Sequence, residues 1–273
     1  MSTIGRSGWL ALCCGCLLTG CTVGTDEEEG AGGNGSAEPL PPATETDFLA
    51  QMGDTAWAYP VDEGMAFEVT TTTQYRSLAT DRVINTTIDE DEVRRSFRLI
   101  DSDGDSYYRE TEQAYLNYPL PEVGEASYHR DLAVGEDGTI YARQRPLDAW
   151  HGWLPGQPFL GQRWSMTIEL ADPDGDGDLS WEFEAQISGI DVVAPNEEND
   201  TVLIQLVGNA VDSEGEVLDD IAPLLWDLYL KPGEGLIYSI SLLEYVTTFE
   251  GEEVVRSVET IEDRVPAPLS ASG

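Results

Sequence analysis

Two acidic stretches carry oxygen ligands at spacings that suit a hard cation. Asp172-Pro173-Asp174-Gly175-Asp176-Gly177-Asp178-Leu179-Ser180 matches the first nine positions of a D-x-D-x-D-G calcium loop, with Asp172, Asp174, Asp176 and Ser180 as oxygen donors, glycine at the sharp turn and Asp178 following it. The twelfth position, where a bidentate carboxylate closes such a cage, is Phe183, flanked by Glu182 and Glu184. A second stretch, Asp101, Asp103 and Asp105, does place Glu112 at the twelfth position but has Ser106 where glycine belongs. Calcium is the one cofactor these residues suggest. The competing reading is that acid-plus-glycine turns, as at Asp62–Gly64 and Asp212–Gly215, simply hydrate strand connections.

The segment Pro146 to Trp164 gathers Trp150, Trp153, Phe159 and Trp164 around His151. Such rings offer a platform for a sugar or acyl ligand, or a plug folded over the open end of a sheet. No recognisable elbow presents a Ser or Cys nucleophile for His151, and with 52 Asp and Glu residues two neighbouring carboxylates are no sign of glycoside chemistry. No phosphate-binding glycine loop or metalloprotease helix occurs. The residues therefore predict no catalytic set, and a chain that is not an enzyme.

Charge narrows the partners. The 273 residues hold 52 acids against 14 Lys and Arg, a formal charge of −38, with Lys231 the single lysine. A phosphate backbone is repelled by such a surface, so nucleic acid is excluded as a partner. Hydrophobic residues make up 41%, enough to bury a core in one domain.

The start of the chain reads as an address. Arg6 is followed by an apolar run from Trp9 to Leu18, too short to span a bilayer but suited to a signal peptide. Leu18-Thr19-Gly20-Cys21 resembles the lipobox of bacterial lipoproteins, in which cleavage precedes a cysteine that carries the lipid. The resemblance implies a signal peptide over residues 1–20, acylation of Cys21, and stable membrane attachment through more than one acyl chain. Cys13, Cys14 and Cys16 leave with the signal, so the mature chain has no second cysteine for a disulfide. Thr22 after the cysteine, rather than Asp, implies the outer membrane within the cell envelope. Residues 21–47 are rich in Gly, Pro, Ser and acids and read as a disordered tether, of about 25–30 Å root-mean-square reach for some 26 residues.

These features must be positioned by strands. From residue 48 to 265, β-branched and alternating runs recur about a dozen times, among them Met65–Leu78, Arg82–Ile88, Val93–Ile100, Thr201–Val211, Leu224–Leu230 and Leu236–Phe249. Short turn-rich links imply antiparallel neighbours. The expected fold is all-β, one large curved antiparallel sheet or half-barrel meander of about a dozen strands, with a two-sheet β-sandwich as the alternative. One short helix is expected at Phe48–Met52 behind Asp47, and a flexible tail over 266–273. Alternation about Pro232-Gly233 predicts that Trp226, Leu228, Leu230, Leu236, Tyr238, Ile240 and Leu242 share one face.

Trp226 through Tyr238 (WDLYLKPGEGLIY) resembles the W-Y-x-x-P-G-x-G-L-V hairpin of secreted bacterial domains of the lipoprotein-carrier-like half-barrel type, and Gly161-Gln162-Arg163-Trp164 resembles their strand-opening G-x-x-W. That resemblance implies a curved sheet around an apolar interior, in some members an acyl-binding one, and transfers no catalytic residue. Two functions follow as expectations. One is an interaction or structural domain with a filled core. The other is a module holding an apolar small molecule or an envelope protein on its concave face, with Trp150, His151, Trp153 and Trp164 as the ligand-facing set.

Overall fold

The computed structural model describes residues 37–40, 55–57, 60–61, 64–102, 105–116, 127–143, 150–171, 178–212 and 214–265. The expected signal peptide, Cys21, the expected helix at 48–52, most of the first acidic loop and the tail expected over 266–273 lie outside the described residues. What is described is all-β. The strands are β1 (Met65–Ser77), β2 (Val83–Ser102), β3 (Asp105–Leu116), β4 (Ser127–Val134), β5 (Ile140–Arg143), β6 (His151–Leu154), β7 (Arg163–Ala171), β8 (Asp178–Val192), β9 (Thr201–Val211), β10 (Leu224–Lys231), β11 (Gly235–Phe249) and β12 (Glu252–Val265).

They form a single antiparallel sheet in the order β6-β5-β4-β3-β2-β1-β12-β11-β10-β9-β8-β7, curled into a nearly closed barrel. The expected one-sheet meander is therefore the fold, and the sandwich is not. Each neighbour in the sheet is a neighbour in sequence except one: β1 pairs with β12 from Ala66↔Val265 to Ser77↔Val254, joining two six-stranded ladders.

Period-two alternation sets the faces. In β9, Val202, Ile204, Leu206 and Ala210 point inward and are buried, while Gln205 and Val207 between them face water. Inward residues of β7 and β8 continue the pattern with Trp164, Met166, Ile168, Trp181, Phe183, Ala185 and Ile187. These side chains, with Trp57, Phe67, Leu132, Ile140, Trp153 and Leu154, make one continuous core inside the barrel. Rings bridge it: Trp153 to Trp226 at 6.2 Å, Trp226 to Phe183 at 6.4 Å and Phe183 to Trp181 at 6.3 Å between centroids. Trp57 is not in a strand. It plugs the barrel end, donating its indole N–H to the Pro155 carbonyl at 2.8 Å.

One expectation about faces is corrected. Tyr229 pairs with Tyr238 but Leu230 pairs with Leu236, so Ile237 is an extra residue in β11 beside Gly235, whose φ is +77°. The bulge flips the register by one. Trp226, Leu228, Leu230 and Leu236 join the core, whereas Tyr238, Ile240 and Leu242 leave it for the outer face, and Ser239 and Ser241 take the inward positions opposite Leu228 and Trp226.

Candidate functional site

Two places concentrate polar or accessible chemistry. The first is inside the barrel. Arg95 on β2, Glu110 and Glu112 on β3, Arg130 on β4 and Glu262 on β12 all occupy inward positions, so the wall from β11 round to β4 carries charge while the facing wall is apolar. Arg95 donates Nε to Glu112 at 3.1 Å and Nη2 to Glu262, and its Nε lies 3.9 Å from Glu110. Arg130 Nε donates to Glu110 at 2.6 Å, and Ser239 Oγ donates to Glu262 at 3.0 Å. Apolar rings cap the cations: Arg95 lies 4.8 Å from the centre of Phe67 and Arg130 4.6 Å from that of Trp153.

Burial alone would lower the Arg95 pKa. The charges of Glu262, Glu110 and Glu112 more than reverse that, raising it above its ordinary value and keeping the guanidinium cationic. Sequence reasoning missed this network. The signal was present in phase only: Arg95 alternates with Val93 and Phe97, and Glu112 stands opposite Arg95 across the hairpin. In a chain with 52 acids each one reads as solvated.

The second place is the seam. β6 and β7 are the two edges of the sheet and approach one another without pairing. Residues 37–40 cross this seam as a strap: the Ser165 N–H donates to the Glu38 carbonyl at 3.2 Å, Pro39 bridges Ser165 in parallel, and Leu40 packs on the core. Gly152 makes room for it, since a Cβ there would sit 2.4 Å from Leu40 Cβ. Residues 37–40 fall within the stretch 21–47 expected as a tether, and they pair here because an unpaired edge offers donors to whatever backbone lies beside it. Beside the strap is a cavity of about 510 Å³ lined by Leu40, Trp150, His151, Met166, Thr167, Phe183 and neighbours.

The aromatic segment divides accordingly. Trp153 and Trp164 are core residues, buried with indole N–H groups that have no hydrogen-bond partner among the described residues. Trp150 is half-buried at the seam, edge-on to Tyr107 at 5.9 Å and covered by the Arg143 guanidinium at 4.5 Å. Arg143 in turn shares the buried Asp131 carboxylate with Arg109, at 2.8 and 2.9 Å. His151 lies in β6 and lines the seam cavity; its Nε2 is buried without a hydrogen-bond partner, and burial holds its pKa below the usual 6.5. Of the four residues expected to face a ligand, Trp150 and His151 line the seam cavity, and Trp153 and Trp164 lie in the core.

The described residues of the two acidic stretches are strand ends. Asp101 and Ser102 pair with Ser106 and Asp105 across the β2–β3 hairpin, and Glu112 lies seven residues further along β3, engaged with Arg95. An extended strand carries Glu112 away from that turn, so the second loop does not bring its carboxylate back to close a cage. Asp103 lies outside the described residues. Asp172, Asp174 and Asp176 also lie outside them; Asp178 pairs with Ala171, and Ser180 is in β8 between Glu169 and Val211. Among the described residues no group of three or more His, Cys, Asp or Glu side chains is placed to hold a metal ion. Two other acidic turns use their carboxylates on their own backbone. Asp212 accepts the N–H of Glu214 at 2.8 Å and of Glu216 at 3.0 Å, which lowers its pKa, and Asp137 accepts that of Thr139 at 2.9 Å.

No known protein family, curated protein or solved structure matches the chain.

Proposed function

We propose that the chain is a lipid-anchored protein of the cell envelope, held in the outer membrane through Cys21, whose β domain works by interaction and not by catalysis. The observation that carries the reading is the interior of the barrel. Trp57, Trp164, Trp181, Phe67, Phe183 and Leu132 are among its fully buried side chains, and an Arg–Glu network fills the opposite wall, so the barrel is packed by its own residues. The lipobox-like Leu18–Cys21 supports the anchor.

Mass spectrometry of the mature protein tests the anchor: acylated Cys21 at the N-terminus is the expected result, and an unmodified Cys21 or a retained Met1 overturns it. A panel of ester, glycosidic and peptide substrates tests the rest. No turnover is expected, and turnover lost on His151→Ala would make the seam an active site. A second reading, a module that holds an apolar small molecule, is favoured by the seam cavity beside Met166 and Phe183. Native mass spectrometry showing a bound lipid would put that reading first.

A further inference from the structure

The β7 edge is already used once as a docking rail, by the strap. Backbone groups alternate sides along a strand, so the Ser165 N–H that reaches Glu38 implies that Thr167 and Glu169 turn their N–H and C=O groups to the same open side. Among the described residues only 37–40 pair there. The remaining edge borders the cavity of about 510 Å³ that reaches Met166 and Phe183.

We propose that the β7 edge from Thr167 to Ala171, with the cavity beside it, receives an extended segment of a partner protein in which apolar and basic residues alternate. This rests on the reading of the domain as an interaction module. An added strand places alternate side chains on the two faces of the sheet. Those on the inner face lie toward Met166 and Phe183, the apolar side of a cavity whose other side carries Thr167 and Glu182, so the inner positions take apolar residues. Those on the outer face extend the row of Thr167 with Glu182, the row of Ser165 with Glu184 being already taken by the strap at Pro39. Glu182 is exposed and has no ion pair among the described residues, whereas Glu184 already meets Arg163 at 3.1 Å. Lys or Arg is therefore the matching outer residue. A second copy of this chain is the wrong occupant, because it would bring the same acids together across a pair of chains each at −38.

The test uses the full chain in detergent and a fluorescent nine-residue peptide of alternating Val and Lys, followed by anisotropy. The Val/Lys peptide should bind, its Val/Glu counterpart should bind at least tenfold more weakly, and N-methylation of alternate peptide residues should weaken binding at least tenfold by removing the edge hydrogen bonds. Thr167→Pro should do the same while circular dichroism stays unchanged, since the lost N–H faces away from β8. If Thr167→Pro fails to fold, the N-methylated peptide and Glu182→Lys, also expected to weaken the Val/Lys peptide, decide on the wild-type edge. No binding of the Val/Lys peptide, or binding indifferent to both N-methylation and Glu182→Lys, overturns the proposal. The second outcome removes the edge while leaving an interaction module standing; turnover in the substrate panel would sink that module instead, whatever the peptide does.

Discussion

Arg95 is the residue on which the charged wall depends. It is 6% exposed and touches carboxylates from β3 and β12, so its removal leaves the fully buried Glu110 to Arg130 and takes an ion partner from the largely buried Glu112 and Glu262. Breaking a buried pair from one side costs about 3–5 kcal/mol, more than the intact pair contributes relative to an apolar substitute. Arg95→Met should therefore lower unfolding free energy by about that amount in urea titrations, and a loss below about 1 kcal/mol would mean the network is solvated. Tyrosines set the alkaline limit. Tyr229 and Tyr238, edge to face at 5.8 Å, are both held above their usual pKa of 10.0, chiefly by burial and then by neighbouring acids such as Asp227 and Asp263. A raised folded-state pKa favours the neutral phenol in the fold. The contribution is present below about pH 10 and is lost as pH rises beyond it. Stability measured from pH 9 to 11 should fall, and the fall should flatten in Tyr229→Phe with Tyr238→Phe; an unchanged slope would place these rings in solvent.

At the scale of elements, the β11 bulge makes a sharp contrast between residues of one hairpin. Leu228 and Leu230 are core, so either change to Ala should cost about 2–5 kcal/mol. Ile240 and Leu242, half-buried on the outer face beside Leu225, should cost less than about 1.5 kcal/mol each on the same change, in proportion to the smaller area they bury. Equal losses in all four would restore the unbulged register. The hairpin was legible in Pro232-Gly233-Glu234-Gly235, and its strands were legible to within a residue, because alternation and turn chemistry are local. The bulge was not, since one extra residue leaves no mark in an apolar run such as Leu236-Ile237-Tyr238. β2 was also misread as two runs: the acids from Asp89 to Glu92 interrupt the apolar pattern, while the backbone runs on from Val83 to Ser102. His151–Leu154 lies within the segment read as a platform or plug, where Pro, Gly and Trp mask the strand pattern, yet it is the edge strand β6. Edges, bulges and interior ion pairs are long-range facts, and the two candidate sites are made of them.

Across the whole molecule, every ladder but one joins strands adjacent in sequence. The exception closes the barrel, pairing residues from 177 (Ser77 with Val254) to 199 (Ala66 with Val265) positions apart, and such closure is slow because the chain must lose the entropy of a long loop before the contacts form. Refolding should thus show two meanders that form early and a later step in which β1 finds β12. The seam offers a way to move that step. A chain cut in the connection near the exposed Phe159 and Leu160, with Val265 joined by a flexible linker to Ala37 so that the strap and Trp57 are kept, retains all eleven ladders and leaves only the linker and the segment from Ala37 to Gly64 between β12 and β1. This circular permutant should refold faster than the natural order with the same circular dichroism, and slower refolding would show that barrel closure is not what the native chain waits for. The unpaired β6–β7 seam is then the place where the barrel tolerates an end, and the connectivity of the natural chain has put its one distant pairing on the opposite side.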